Sequence, residues 1–161
     1  MNAPEPELLG QLLDRHAPAL VLFARQWCAT PEDVIQEAFV RLAAQAQCPN
    51  DPVAWLYKVV RNGAISAARS QGRRRRHEVA AAEQAGQWFD ERPEAALDAQ
   101  TASAALAELP ADTRELIVAH LWGDLTFAQI AELVGSPSST VHRKYQAGLA
   151  TLRNLLGEPV R

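Results

Sequence analysis

The chain has 161 residues, 48% of them hydrophobic, and 16 Lys+Arg against 19 Asp+Glu give a formal net charge of -3; this length suits one ordinary domain or two small ones that need no covalent staples. Its two cysteines, Cys28 and Cys48, stand far apart, which excludes a disulfide framework and a CxxC metal knuckle. The acidic start MNAPEPELLG and the lack of any apolar stretch near the roughly 18 residues of a membrane span exclude a secretory signal and membrane insertion, so a soluble, cytoplasmic protein is expected.

Apolar residues recur at three and four positions and seldom alternate with polar ones, which predicts an all-α chain. A first helix is expected from about Pro6 to Ala17, broken at Pro18, where a second starts and carries Leu20, Val21, Phe23 and Ala24 to about Trp27. Thr30, Pro31 and Asp33 then supply an N-cap oxygen, a proline at the first helical position and an acid to meet the helix dipole. That helix continues through Val34, Ile35, Ala38, Phe39 and Leu42. Asp51 and Pro52 repeat the signal, and the next helix carries Trp55, Leu56, Val59, Val60, Ala64 and Ile65 on its apolar face before running into Arg73, Arg74, Arg75 and Arg76. From Glu78 to Asp98 the composition turns to Ala, Gln, Glu and Asp, with Trp88 and Phe89 the large apolar exceptions, and reads as an acidic linker.

A second compact unit begins near Ala104. Its first helix starts around Pro110 and ends at Gly123. Thr126 and Gln129 form a capping box before Ile130, Ala131, Leu133 and Val134, and Gly135 ends that helix after about two turns. Ser136 and Pro137 open the last helix, with Val141, Tyr145, Leu149, Leu152 and Leu155 inward and Gly157 as its stop. The expected organisation is therefore two small helical domains, 1–77 and 104–161, joined by a linker over 78–103.

Residues 126–149 have the layout of a helix-turn-helix, whose second helix enters the major groove; a plain helical hairpin is the alternative. With Val141, Tyr145 and Leu149 inward, Ser139, His142, Arg143 and Gln146 face out. Arg143 can read a guanine edge bidentately, Gln146 can pair with adenine, and Ser139, Thr140 and Lys144 suit phosphates. Arg73 to Arg76, with Arg61 and Arg69 upstream, form a basic stripe beside Trp55 and Tyr57, which suits an unstacked strand, although such a run also serves as a dipole partner and solvated tail. The net charge alone argues against nucleic acid, but the sum hides a dipolar chain: cations gather on one helix and acids in the linker after it.

These segments resemble the bacterial RNA polymerase sigma factors, in the short group-four or extracytoplasmic-function type. Glu32-Asp33-Val34-Ile35-Gln36-Glu37-Ala38-Phe39 is similar to the signature helix of region two, and Ala54-Trp55-Leu56-Tyr57-Lys58-Val59-Val60-Arg61-Asn62 to the promoter-melting helix. Ala107-Glu108-Leu109-Pro110 with residues 125–155 resembles region four. The resemblance implies core RNA polymerase and promoter DNA as partners, with an anti-sigma factor as a further expected partner. It implies that Asp33, Gln36, Glu37 and Arg41 face the clamp helices of the polymerase largest subunit. It implies that Asn62 lines a pocket for a base flipped from the minus-ten element, rimmed by the loop from Cys48 to Asp51, with Trp55 at the melted edge and Arg61, Arg69 and Arg73 to Arg76 on the strand. His142, Arg143 and Gln146 fall on positions that read the minus-thirty-five element. Ala147, Leu149 and Ala150 stand where relatives often carry further basic residues, which implies a weaker grip on phosphate.

A sigma mimic that titrates an anti-sigma factor would have no use for the cations at 73–76, 143 and 144. A stand-alone helix-turn-helix regulator would leave Asp33, Gln36 and Glu37 without a purpose. His16, His77, His120 and His142 are scattered and no HExxH or phosphate-binding glycine loop occurs, so no catalytic residue, metal or cofactor is expected.

Overall fold

The computed structural model describes residues 2–75 and 104–157, with the backbone alone for 71–75. The chain divides into two compact units, Met1–Ala82 and Glu83–Arg161, and every regular element among the described residues is an α-helix. The protein is all-α.

In the first unit, α1 spans Pro6–Ala24 without a break, with Pro18 inside it. The expected break fails because Pro18 is exposed, so its missing N–H leaves only the Asp14 carbonyl to water, a cost of about 3 kcal/mol. One continuous helix at 100° per residue keeps Leu12, Ala19 and Phe23 within about 40° of one another. Leu12, Leu20, Leu22 and Phe23 are all buried, and at about 1.5–3 kcal/mol for each large side chain their burial outweighs the proline.

Helix α2 spans Pro31–Ala43. Thr30 occupies the N-cap position but at ψ 59 makes no side-chain cap bond; the start rests instead on the preset φ of Pro31 and on Glu32 and Asp33 in the positive end of the helix dipole. Helix α3 spans Pro52–Arg75, and here the expected cap forms, with the Ala54 N–H donating to Asp51 Oδ1 at 3.1 Å. Leu56, Tyr57, Val60 and Ala64 are fully buried against α1 and α2. Tyr57 meets Phe23 edge to face at 5.0 Å. It is a core residue, not the surface aromatic expected beside the basic stripe.

In the second unit a helical turn over 104–107 precedes α4 (Ala111–Leu121), α5 (Phe127–Val134) and α6 (Ser138–Leu156). Helix α4 ends at Leu121 rather than Gly123, and the left-handed residue is Asp124 at φ 56, a conformation that aspartate tolerates because its short side chain can bond locally. The Gly123 and Leu125 N–H groups close the turn on Val118 O and Ala119 O at 3.2 and 3.1 Å. The Thr126–Gln129 capping box forms in both directions, at 3.1 and 2.8 Å, and Gly135 takes the left-handed turn position at φ 73.

Helix α6 buries Val141, Tyr145, Gly148 and Leu152. Leu149, expected inward, is half-buried and packs against the core of the second unit, while the closest approach to α4 falls at Gly148: a Cβ there would lie 2.5 Å from Thr113 Cγ2 and 2.7 Å from Ile117 Cδ1, so only glycine lets α6 approach α4 this closely. Leu155, expected inward, is 48% exposed, since no described residue covers the last turn of α6. The acidic linker, with Trp88 and Phe89, and Arg76 and His77 lie outside the described residues.

Candidate nucleic-acid and polymerase interfaces

On α2, Asp33, Glu37 and Arg41 repeat every four residues and share one exposed face. They form one wall of a groove of about 500 Å³ between α2 and α3, whose other wall carries Asn62, Ser66 and Ser70. The groove is narrow at Gly63, where a Cβ would sit 3.1 Å from Val34 Cγ1. Arg41 Nε donates to Glu37 Oε1 at 3.3 Å, with both side chains more than 60% exposed, so the pair is worth less than about 1 kcal/mol and is free to exchange partners. Gln36 lies around the helix in a second, almost wholly apolar groove between α1 and α2 with Leu9, Leu13, Phe39 and Val40. The structure therefore separates Gln36 from the other three expected polymerase residues and joins those three to Asn62.

The expected minus-ten residues are spread along α3. Asn62 is ten residues, about 15 Å, from Pro52 along the helix axis, and the groove it lines includes no residue of the 48–51 loop. That loop is instead tied to the N-terminal segment by the Cys48 N–H donating to Asn2 O at 3.0 Å. Arg61 places its guanidinium 5.9 Å from the centre of the Trp27 ring, and Trp27 meets Phe23 edge to face at 5.0 Å. Trp27 as a platform for Arg61 has no local signal in the sequence, because the two residues meet only when α1 and α3 pack. Trp55 is half-buried and Arg69 exposed. Residues 73–75 continue the helix backbone.

The second unit has the helix-turn-helix geometry. The capping box sets α5, the left-handed Gly135 turns the chain, and Val141 is buried, so Ser139, His142, Arg143 and Gln146 stand exposed on the outer face of α6 with Thr140 half-buried beside them. Lys144 lies on the flank, where Nζ reaches Asp112 Oδ2 at 2.9 Å; that contact holds the Asp112 carboxyl below its ordinary range. Burial pushes the Tyr145 hydroxyl up, in keeping with its place in the core.

Around Phe127 four rings meet. Among the described residues no three His, Cys, Asp or Glu side chains could hold a metal ion, and no helix is long and apolar enough to cross a membrane.

Two family profiles match, Sigma-70 region 2 over residues 12–74 and Sigma-70 region 4 over residues 100–152. The chain is 32% identical over 166 residues to the ECF RNA polymerase sigma factor SigL of Mycobacterium tuberculosis, covering 97% of this chain and 93% of that one. It is 31% identical to the probable RNA polymerase sigma factor RfaY of Xanthomonas campestris pv. campestris over 86% of this chain and 37% of that one. The fold matches the sigma factor RpoE solved with the anti-sigma factor NepR from Bartonella quintana, at TM-score 0.74 and 24% identity over 94% of this chain and 98% of that one. It also matches CnrH solved with the cytosolic domain of CnrY, at TM-score 0.63 and 24% identity over 97% and 92%.

Proposed function

This chain belongs to the sigma-70 family as an extracytoplasmic-function RNA polymerase sigma factor, and from that premise we propose how its residues divide the work of promoter recognition and strand opening. Domains over 1–77 and 104–161 act as the minus-ten and minus-thirty-five modules, joined by the acidic segment 78–103. Asp33, Glu37 and Arg41 dock on the polymerase from the α2–α3 groove, and Gln36 contributes from the neighbouring face of α2. Arg61, Asn62, Arg69 and Arg73 to Arg76 follow the melted non-template strand along α3, with Trp55 at its edge; a flipped base costs a few kcal/mol of stacking, which contacts of this kind must offset. His142, Arg143 and Gln146 read base edges, and Ser139, Thr140 and Lys144 meet phosphates. The protein serves as an adaptor in the cytoplasm, the nucleotide chemistry being that of the polymerase. The neighbour RpoE was solved with an anti-sigma factor, and we extend an anti-sigma partner to this chain.

The observation that carries this reading is the order of the two units: a groove bearing two carboxylates and Asn62, then a capped helix-turn-helix with an arginine and an amide outward, in one chain. The test mixes the purified protein with core polymerase and follows initiation on a library of promoter fragments. Asp33→Ala with Glu37→Ala is expected to weaken core binding roughly three- to thirtyfold, the sum of two solvent-facing charge contacts, with the fold unchanged by circular dichroism. Unchanged core affinity removes the docking surface, and association without promoter-specific initiation removes the adaptor role.

A further inference from the structure

The ring of Phe127 lies in contact with three others. His120 stacks on it at 4.4 Å with the planes 15° apart, Tyr145 meets it edge to face at 5.1 Å and 63°, and His142 stands nearly perpendicular to it at 5.0 Å and 86°. His120 also touches Tyr145 at 4.8 Å. Its Nδ1 lies 2.7 Å from Leu125 O, and since a carbonyl only accepts, that nitrogen carries the proton and donates. His120 is thereby fixed to the α4–α5 turn, which is closed from the other side by the Leu125 N–H on Ala119 O. Phe127 itself is the first residue of α5, immediately after the Thr126 cap, and packs against the core of the second unit with Tyr145. Every ring in the cluster but one is anchored by burial, a cap or a hydrogen bond. The exception is His142, exposed on the outer face of α6.

We propose that Phe127 is a positioning residue for promoter recognition: its ring, braced by His120 and Tyr145, fixes the imidazole of His142 on the base-facing side of α6 before DNA arrives. The inference rests on the reading of His142 as a base contact and deepens it. A surface histidine near a helix start otherwise samples several rotamers, and a contact made by a disordered side chain loses part of its strength to ordering. An edge-to-face aromatic contact is strong enough to select one orientation. The selected orientation belongs to this sequence, since it needs an aromatic residue at 127, a histidine at 142 and the His120 brace together.

The experiment uses the full chain, alone and assembled with core polymerase. In the free protein the His142 ring protons should show an aromatic ring-current shift that Phe127→Leu abolishes and Phe127→Tyr retains. In the holoenzyme, Phe127→Leu should weaken binding to the preferred upstream element by roughly two- to tenfold, with Phe127→Tyr close to the parent. Combined with His142→Ala, Phe127→Leu should add nothing further. Full additivity of the two changes, with His142→Ala itself altering base preference, overturns the positioning role and leaves the base reading standing. An unaltered base preference in His142→Ala overturns the base reading and the proposal with it, and a missing ring-current shift in the parent overturns the proposal on geometry alone. Leucine keeps most of the volume of phenylalanine, and if the leucine variant does not fold, the presence or absence of the His142 ring-current shift in the parent still decides the proposal.

Discussion

Gly148→Ala adds one methyl group to the inner face of α6 and should push that helix away from α4. The added Cβ would stand 2.5 Å from Thr113 Cγ2 and 2.7 Å from Ile117 Cδ1, so the neighbours must recede by close to 1 Å to reach ordinary contact. Thr113 is β-branched and holds few rotamers in a helix, and Ile117 is fully buried with nowhere to turn. Overpacking of this kind costs about 1–3 kcal/mol, and here the upper half of that range applies because two atoms are met at once. Alanine recovers about 1 kcal/mol of helix propensity, leaving a net loss of about 1–2 kcal/mol in the second unit. Gly10→Ala is the matched control: nothing lies within 4 Å of its added Cβ and the site is exposed in α1, so the same chemical change should stabilise the first unit by about 0.5–1 kcal/mol. Urea unfolding followed by circular dichroism reads both, and the opposite shifts identify which transition belongs to which unit. A Gly148→Ala protein as stable as the parent would refute the close approach of α6 to α4.

Lys144 is paired with Asp112 in the free protein, and if it turns to phosphate on binding, Lys144→Ala should flatten the salt dependence of upstream-element binding by about 0.9 in log–log slope; an unchanged slope removes Lys144 from the DNA contacts. The same pair sets a pH dependence. The Asp112 carboxyl is lowered from its ordinary value of 3.8, so its contribution to stability is fully present above that value and is lost as the pH falls through and below it. Both side chains are exposed, which limits the effect to less than about 1 kcal/mol, measured as the difference between parent and Asp112→Asn in unfolding at pH 6 and at pH 3. Thr126→Ala removes the oxygen that accepts the Gln129 N–H and should cost the second unit about 0.5–2 kcal/mol, and a loss below the error of a urea melt would mean that the cap is satisfied by water.

The residues proposed for polymerase and promoter could be nominated from the sequence one by one, but not the surfaces they share. Asp33, Gln36, Glu37 and Arg41 are expected from the resemblance of the 32–39 segment to the region-two signature helix, and Arg143 and Gln146 from the inward register of Val141 and Tyr145. That Asn62 shares a groove with the carboxylates of α2, while Gln36 faces a different and apolar one, depends on how α2 turns against α3, which no spacing within either helix states. Trp27 under Arg61 and Phe127 against His142 are pairs distant in sequence, and neither partner carries a mark of the other.

What the sequence determined by itself is local. The Asp51 cap, the reciprocal Thr126–Gln129 box and the left-handed Gly135 and Gly157 each satisfy backbone groups within four residues, so their signals are complete in short windows and the structure repeats them. Where a local rule met a longer-range one, tertiary packing decided. Pro18 did not break α1, because buried apolar groups on both sides outweigh one missing hydrogen bond. Tyr57 went inward to Phe23. At Gly148, α4 passes too near for any side chain, a constraint no local pattern on α6 states. Local hydrogen bonds are settled by the few residues that make them, whereas the energy of a packed contact belongs to two helices at once and exists only when both are in place.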